Sequence, residues 1–169
     1  MVLGCLCVAI LVAEGVAASG NGVPVAKPQQ AFLDLDGNRK TLDDFRGKVV
    51  LVNFWTSWCP PCLSEMPALK RLSRAMADQP FALLAVNVAE GRGIVQRFAS
   101  LEEAGINVLR DVNGRAAEQW AVEVYPTSVI VDGNGHRHAT IIGETDWDAQ
   151  DLHDQLKALI SATATDNDE

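Results

Sequence analysis

The stretch that decides the fold is Val49–Cys62, which reads VVLVNFWTSWCPPC. Its first half, Val49–Trp55, is a nearly continuous apolar run rich in β-branched residues, which is typical of a strand covered on both faces of a sheet. Pro60 and Pro61 then fit only the first turn of a helix, where their missing N–H groups have no partner to lose. The stretch therefore predicts a buried strand that leads directly into a helix, with a Cys-x-x-Cys pair at the junction.

The two cysteines at this junction are predicted to be chemically unequal. Residues i and i+3 of a first helical turn lie on one face, close enough for a disulfide of ordinary geometry. Cys59 falls at the helix cap, where unpaired N–H groups and the positive end of the helix dipole stabilise a thiolate, whereas Cys62 lies one turn further in. We therefore expect Cys59 to be the attacking nucleophile and Cys62 to be the resolving thiol.

Two other uses of this cysteine pair are less favourable. A zinc site needs four ligands, and the chain offers no second Cys-x-x-Cys, only His136, His138 and His153 as further candidates. A purely structural disulfide across so short a loop would add little stability by the loop-entropy estimate. The favoured interpretation is redox chemistry, with the Cys59–Cys62 disulfide as the redox group and no metal or other cofactor.

The segments around this stretch predict a single α/β unit. Helices are predicted from apolar residues at helical spacing, and strands from continuous or alternating apolar runs next to turn signals such as Asp132-Gly133-Asn134-Gly135. Together they indicate a mixed central β-sheet with helices on both faces. The further strands are predicted at Phe32–Leu35, Phe81–Val88, Val108–Leu109, Ser128–Val131 and Arg137–Ile142. The helices are predicted at Pro60–Met76, Ile94–Ala104, Ala116–Trp120 and Trp147–Ile160.

Length and charge limit the classes of function. The chain has 169 residues, a hydrophobic fraction of 48% and a formal net charge of -8. This length predicts one domain with a core large enough to fold without disulfides. The acidic balance, with no Lys/Arg-rich run, argues against binding to nucleic acid or to anionic membrane surfaces, because both need a basic face.

The N-terminal pattern predicts export. Val2–Ala13 is a run of 12 residues without charge, followed by small residues, which matches a signal-peptide apolar region and is short for a membrane span. Location in the periplasm or at the extracytoplasmic face of the membrane is therefore expected. An uncleaved N-terminal anchor stays open on the length of the run, and a lipid on Cys5 is less favourable. No Lys or Arg precedes the run, so the segment lacks the positive end that orients a leader. The predicted segments are a leader at 1–19, a flexible linker at 20–30, the globular domain at 31–160 and a disordered tail at 161–169.

Several motifs in order make the sequence similar to a known family. It resembles the thioredoxin fold with an extra N-terminal β-hairpin, and within that fold the exported thiol-disulfide oxidoreductases of the TlpA, ResA and CcmG type. The resemblance covers Phe32 to about Leu156, and each motif is weak alone. The matching motifs are the Asp36-Gly37-Asn38 turn of the opening hairpin, Val50–Trp55, Trp58–Cys62, Ser64–Pro67, Ala85–Val88 and Tyr125–Ser128.

The resemblance implies roles for residues around the cysteine pair. In this family the proline before the third core strand is cis and lies against the cysteines, where the preceding backbone binds an extended substrate, and Pro126 takes that position. Asn53 replaces the buried acid of thioredoxins proper, and an acid three residues after the second cysteine, here Glu65, exchanges protons with the resolving thiol.

Two further residues are compared with the family. Glu90 matches a second acid of some relatives, whereas Tyr125 is bulkier than the residue usual before this proline. The candidate catalytic residues are thus Cys59, Cys62, Glu65 and Pro126.

The function implied by the resemblance is that of an exported thiol-disulfide oxidoreductase that reduces disulfides in exported proteins. Its electrons are expected from a membrane thiol transporter of the CcdA or DsbD type. Its expected substrates are proteins of cytochrome c maturation or copper-site assembly, and a monomer is expected. Two alternatives stay open: a disulfide-donating oxidase of the same fold, and a copper-binding chaperone in which the cysteines hold the metal.

Overall fold

The computed structural model describes residues 31–166, so the predicted leader at 1–19 and linker at 20–30 lie outside the described residues. Within the described range, no helix combines the length and the apolar character needed to cross a membrane. The strands are β1 (Phe32–Asp34), β2 (Arg39–Lys40), β3 (Val49–Trp55), β4 (Phe81–Val88), β5 (Asn107–Asp111), β6 (Thr127–Val131) and β7 (Arg137–Ile142). The helices are α1 (Pro60–Ala75), α2 (Arg92–Val95), α3 (Arg115–Gln119) and α4 (Gln150–Asp166), with 3-10 helices at Leu42–Phe45 and Gln96–Ala104.

The seven strands form one mixed sheet in the order β2-β1-β5-β4-β3-β6-β7. The predicted strand Val49–Trp55 is confirmed as β3, and all of its residues are buried. It pairs in parallel with β4 and antiparallel with β6. The predicted N-terminal hairpin is also confirmed: β1 and β2 pair antiparallel and extend the sheet beyond β5.

Two hydrophobic cores lie on the two faces of this sheet, because successive residues of a strand point to opposite faces. Leu51 and Trp55 of β3 join the core that α1 and α4 cover. Val52 and Phe54 join the core that α3 covers, where Phe54 packs edge-on against Trp120 at 5.6 Å between ring centroids. Each fully buried large side chain contributes about 1.5–3 kcal/mol, so the strand that leads to the cysteines is firmly anchored. The predicted placement of helices on both faces is confirmed.

One edge of the sheet gathers the chain segments that carry the candidate site. Strands β3, β4 and β5 run parallel, so their carboxyl ends meet at this edge. Strand β6 runs antiparallel to β3 and begins at the same edge, where Thr127 pairs with Phe54. The loops after β3, after β4 and before β6 therefore converge, and α1 starts from the first of them.

Helix α1 continues through a proline, Pro67. Since proline has no N–H, the carbonyl of Leu63, four residues earlier, lacks the usual helical donor. Met66, Leu69 and Leu72 keep the helix face buried across this point. Packing of the apolar stripe, rather than an unbroken hydrogen-bond ladder, holds the two lengths of α1 together.

The predicted tail at 161–169 is wrong for residues 161–166, because α4 runs from Gln150 to Asp166, and residues 167–169 lie outside the described residues. Leu156 and Ile160 are buried, and Thr163 continues the same helical stripe as a buried residue. The hydroxyl of Thr163 accepts a hydrogen bond from the backbone N–H of Gly133 at 3.5 Å. A polar residue therefore anchors the last turn to the loop between β6 and β7, which apolar periodicity alone could not predict.

Two predicted helices have different bounds in the structure. The helix expected over Ile94–Ala104 is a short α-helix, α2, followed by a 3-10 helix over Gln96–Ala104. The final helix begins at Gln150 and not at Trp147. Trp147 thus lies in the segment between β7 and α4, with consequences for the site.

Candidate active site

The cysteine pair lies at the N-terminus of α1, as the sequence predicts. Cys59 is the N-cap residue, and its Sγ accepts the backbone N–H of Cys62 at 3.3 Å. The two cysteines form a disulfide with their Cα atoms 5.3 Å apart. Cys59 keeps 4% of its surface exposed, whereas Cys62 is fully buried. An incoming sulfur therefore meets Cys59 first, and the cap N–H groups stabilise a thiolate there.

The predicted cis proline is confirmed at the Tyr125–Pro126 bond. The carbonyl of Pro126 accepts a hydrogen bond from the backbone N–H of Gly143 at 2.8 Å, which ties the start of β6 to the end of β7. The ring of Tyr125 packs edge-on against Trp58, with 6.1 Å between centroids. Trp58 directly precedes Cys59 and is 67% exposed. The cis-proline loop thus lies alongside the loop that carries the more exposed cysteine.

Glu65 is buried one turn beyond Cys62, on the same face of α1. Its Oε1 accepts a hydrogen bond from the Nδ2 group of Asn53 at 2.7 Å. Its Oε2 accepts from the indole Nε1 of Trp147 at 2.9 Å and from the backbone N–H of Thr145 at 3.4 Å. Burial raises the pKa of Glu65, and these three donors only partly oppose that shift. The site therefore contains a carboxyl group that binds a proton more readily than an ordinary glutamate does.

Asn53 connects this carboxyl to the neighbouring strand. It lies fully buried on β3, and its Nδ2 group also donates to the hydroxyl of Ser128 on β6 at 2.9 Å. Its Oδ1 atom is buried and has no hydrogen-bond partner among the described residues. Asn53 is thus a neutral group at the position where an acid would add a second buried charge beside Glu65.

Glu90 lies in the loop after β4 and binds the loop that precedes Cys59. Its carboxylate accepts from the backbone N–H and the hydroxyl of Ser57, each at 2.6 Å, and from Nδ2 of Asn87 at 2.7 Å. Burial opposes ionisation, but these hydrogen bonds and the charge of Arg97 outweigh it and lower the pKa of Glu90. Glu90 is therefore an anionic anchor for the segment that leads into the cysteine pair.

The structure brings the four candidate catalytic residues to one edge of the sheet, with Cys59, Cys62 and Glu65 on α1 and Pro126 at the start of β6. Sequence reasoning missed the role of Trp147, which the sequence places only as the first residue of the predicted last helix. It also missed Ser57 as the partner of Glu90. A signal for the second existed, because Ser57 and Glu90 follow the ends of adjacent parallel strands. Trp147 offered no such signal, since its contact with α1 spans 82 positions of sequence.

These features define a class of protein. A Cys-x-x-Cys disulfide that caps a helix, at the edge of a mixed sheet and beside a cis proline, is the arrangement of thioredoxin-fold thiol-disulfide oxidoreductases. The family model described as AhpC/TSA family matches residues 22–137, and the chain belongs to this family.

Similar proteins carry names of the same class. The chain is 34% identical to the thiol-disulfide oxidoreductase ResA of Geobacillus thermodenitrificans over 132 residues, which are 78% of this chain and 75% of that protein. It is 36% identical over 115 residues to a thiol:disulfide interchange protein DsbE homolog of Paracoccus denitrificans, covering 66% of this chain and 62% of that protein.

A solved structure supports the same assignment. The crystal structure of a putative thiol:disulfide interchange protein DsbE from Chlorobium tepidum superposes with a TM-score of 0.70 at 28% identity, covering 79% of this chain and 94% of that one. The thioredoxin-like fold with a mixed sheet is therefore confirmed. The protein is a thiol-disulfide oxidoreductase of the ResA/DsbE type, which exchanges disulfides with protein substrates.

Proposed function

We propose that this oxidoreductase works outside the cytoplasm as a reductant of disulfides in exported proteins. The observation that carries the proposal is the cysteine pair itself: a more exposed Cys59 at a helix cap, with a buried Glu65 of raised pKa one turn behind Cys62. The leader-like run at the N-terminus supports export. One structural relative at 28% identity and a TM-score of 0.63 is named an exposed lipoprotein thioredoxin of Streptococcus pneumoniae, which supports the same location.

The reaction begins with both cysteines reduced. The thiolate of Cys59 attacks one sulfur of the substrate disulfide, forming a mixed disulfide and releasing the other substrate sulfur as a thiolate. The thiolate of Cys62 then attacks Cys59 Sγ, forming the Cys59–Cys62 disulfide and releasing the second substrate thiolate. Two electrons pass to the substrate, and the protons lost by the two cysteines balance those gained by the substrate thiols. No cofactor beyond the cysteine pair is needed.

Glu65 and Pro126 serve different steps of this cycle. Glu65 takes the proton of Cys62 when that thiol becomes a nucleophile and returns it when the pair is reduced again. In the disulfide form, its hydrogen-bond partners among the described residues are Asn53, Thr145 and Trp147, so proton transfer follows a rearrangement after reduction. The backbone before Pro126 pairs with the extended substrate, and the aromatic pair Trp58 and Tyr125 borders the place where it binds.

The proposed partners complete the electron path. A membrane thiol transporter of the CcdA or DsbD type reduces the Cys59–Cys62 disulfide, and the protein acts as a monomer. Its proposed substrates are cysteine pairs of cytochrome c maturation or of copper-site assembly. These cysteine pairs need a reductant, since haem and copper bind only reduced cysteines.

Trapping of mixed disulfides tests the assignment of the cysteines. Cys62→Ala incubated with oxidised glutathione is expected to retain a glutathione adduct on Cys59, and in an exported protein fraction it is expected to retain substrates. Cys59→Ala is the matched control and is expected to retain neither, because the buried Cys62 does not meet the substrate. Mass spectrometry of the non-reduced protein measures both.

Two results would contradict the proposal. Normal turnover by Cys62→Ala would show that Cys62 does not resolve the mixed disulfide. A reduction potential near the oxidising end of known Cys-x-x-Cys proteins, about -120 mV, would exclude the reductant direction, while a value nearer to about -270 mV agrees with it. Equilibration of the wild-type pair with glutathione or dithiothreitol buffers measures the potential.

A further inference from the structure

The carboxyl group of Glu65 meets two kinds of hydrogen-bond partner. Its Oε2 receives the indole N–H of Trp147 and the backbone N–H of Thr145, both of which can only donate. Its Oε1 meets the side-chain amide of Asn53. A side-chain amide donates through Nδ2 or, after a half-turn about its last torsion, accepts through Oδ1. Only the Oε1 side of the carboxyl therefore has a partner that can change from donor to acceptor.

We propose that Trp147 and Asn53 are positioning residues that place the proton of Glu65 on Oε1 whenever this carboxyl is protonated. A proton on Oε2 would compete for that oxygen with two N–H groups, neither of which can accept it. A proton on Oε1 finds an acceptor when the amide of Asn53 turns and presents Oδ1. This placement rests on the proposed role of Glu65 as the proton carrier and adds to it the oxygen from which the proton moves.

Asn53 has one side-chain atom, Oδ1, without a hydrogen-bond partner among the described residues. When the amide turns, Oδ1 receives the proton of Glu65, and Nδ2 takes the buried position that Oδ1 leaves. Ser128, which now accepts from Nδ2, can rotate its hydroxyl to donate to Oδ1 instead. Both neighbours of Asn53 are thus compatible with either orientation of the amide.

The surrounding charges favour a protonated Glu65 once Cys62 has given up its proton. Burial raises the pKa of Glu65, and the negative charge of Glu144, in the segment after β7, raises it further. From β3, Asn53 contacts the carboxyl, and from β6, Ser128 contacts Asn53; neither residue carries a charge. On α1 itself, Cys62 adds a negative charge when it is a thiolate. The amide of Asn53 therefore turns in the part of the cycle in which the cysteines are reduced.

Infrared difference spectroscopy of the oxidised full-length protein tests the position of the proton. The carbonyl band of protonated Glu65 appears in the acid-minus-neutral spectrum, and Glu65→Gln identifies it by removing it. With the proton on Oε1, the carbonyl is C=Oε2, so Trp147→Phe deletes one of its donors and moves the band to higher wavenumber. The pH midpoint of the band also rises by about one unit, since one hydrogen bond to a carboxylate changes its ionisation roughly tenfold.

A second buried tryptophan provides the matched control. Trp120 is as deeply buried as Trp147, but its Nε1 has no hydrogen-bond partner among the described residues. Trp120→Phe removes the same volume without removing a hydrogen bond, so the Glu65 band is expected to stay in place. An unchanged band in Trp147→Phe, or an equal shift in both variants, would overturn the proposed placement.

The wild-type protein gives a second measurement in case Trp147→Phe does not fold. In ¹⁵N-labelled protein, acidification is expected to weaken the nuclear Overhauser contacts between the Asn53 amide protons and Ser128, while the indole N–H of Trp147 stays protected from hydrogen exchange. Loss of that protection with unchanged Asn53 contacts would overturn the placement. Trapping by Cys62→Ala does not depend on which oxygen holds the proton, so failure of this placement and failure of the proposed function are distinguishable.

Discussion

Glu65 and Glu90 lie at the same edge of the sheet, and each accepts three hydrogen bonds, yet their pKa values move in opposite directions. The two carboxyl groups differ in how deeply they are buried. Glu65 keeps only 3% of its surface exposed, whereas Glu90 is half-buried and also has Arg97 nearby. Burial, rather than the number of donors, thus decides in which direction the pKa of a carboxyl group moves here. One carboxyl is suited to proton transfer and the other to holding a loop.

Replacing Glu65 gives the largest expected effect. Glu65→Gln is expected to slow disulfide exchange about 10²-fold, the lower end of the contribution of general acid-base groups, because the amide cannot move a proton. Its unfolding free energy at neutral pH is expected to be unchanged or higher, since the buried charge is gone. Exchange kinetics with oxidised glutathione and urea unfolding measure the two quantities.

Glu103→Gln, an exposed substitution at the opposite edge of the sheet, is the control and is expected to leave the rate unchanged. A rate for Glu65→Gln equal to that of the control would remove the proposed difference between the two carboxyl groups.

Replacing Glu90 is expected to affect stability more than chemistry. Glu90→Gln weakens the hydrogen bonds to Ser57 and Asn87, and hydrogen bonds to a charged group are worth about 1.5–3 kcal/mol, so a loss of about 2 kcal/mol in unfolding free energy is expected. The exchange rate is expected to fall much less than in Glu65→Gln. A greater loss of rate than of stability would show that Glu90 also takes part in proton transfer.

The smallest expected effect is on the pH dependence of the unfolding free energy. It separates Glu65 from Glu90 most sharply, because the two residues contribute with opposite signs. The raised pKa of Glu65 means that wild-type stability falls as pH rises from the ordinary value of 4.5 through the pKa in the folded protein, so the advantage of Glu65→Gln grows over that range. The lowered pKa of Glu90 has the opposite sign: its contribution is present above 4.5 and is lost as pH falls through its pKa in the folded protein. Urea unfolding of the three proteins from pH 3 to pH 8 checks the signs, and parallel curves for the two variants would contradict them.

The parts of the fold that the sequence predicted are those that local patterns determine. Val49–Trp55 and Phe81–Val88 are buried strands with the predicted bounds, because continuous apolar runs leave little choice of conformation. The start of α1 was predicted because two consecutive prolines, Pro60 and Pro61, are favoured in the first turn of a helix, where their missing N–H groups have no partner to lose. The end of α4 was not, since the buried contact of Thr163 with Gly133 is a tertiary interaction of a polar residue.

In the candidate site, too, the features predicted from the sequence are those that local patterns determine. The unequal burial of Cys59 and Cys62 follows from their places on a helix turn, and the nearness of Glu65 follows from its spacing on α1. The donors that hold Glu65 could not be predicted, because Trp147 reaches it from a segment between β7 and α4 whose path depends on the whole fold. Cross-chain hydrogen bonds of this kind carry no periodic signal in the sequence.

The proline inside α1 has a consequence for local opening. Pro67 removes one hydrogen bond between the first turns of α1, which carry Cys62 and Glu65, and the rest of the helix, although both parts pack in the same core. Amide hydrogen exchange is therefore expected to be faster in the first turns than around Leu69 and Leu72. On this expectation, the turn that carries the reactive sulfurs opens before the sheet beneath it.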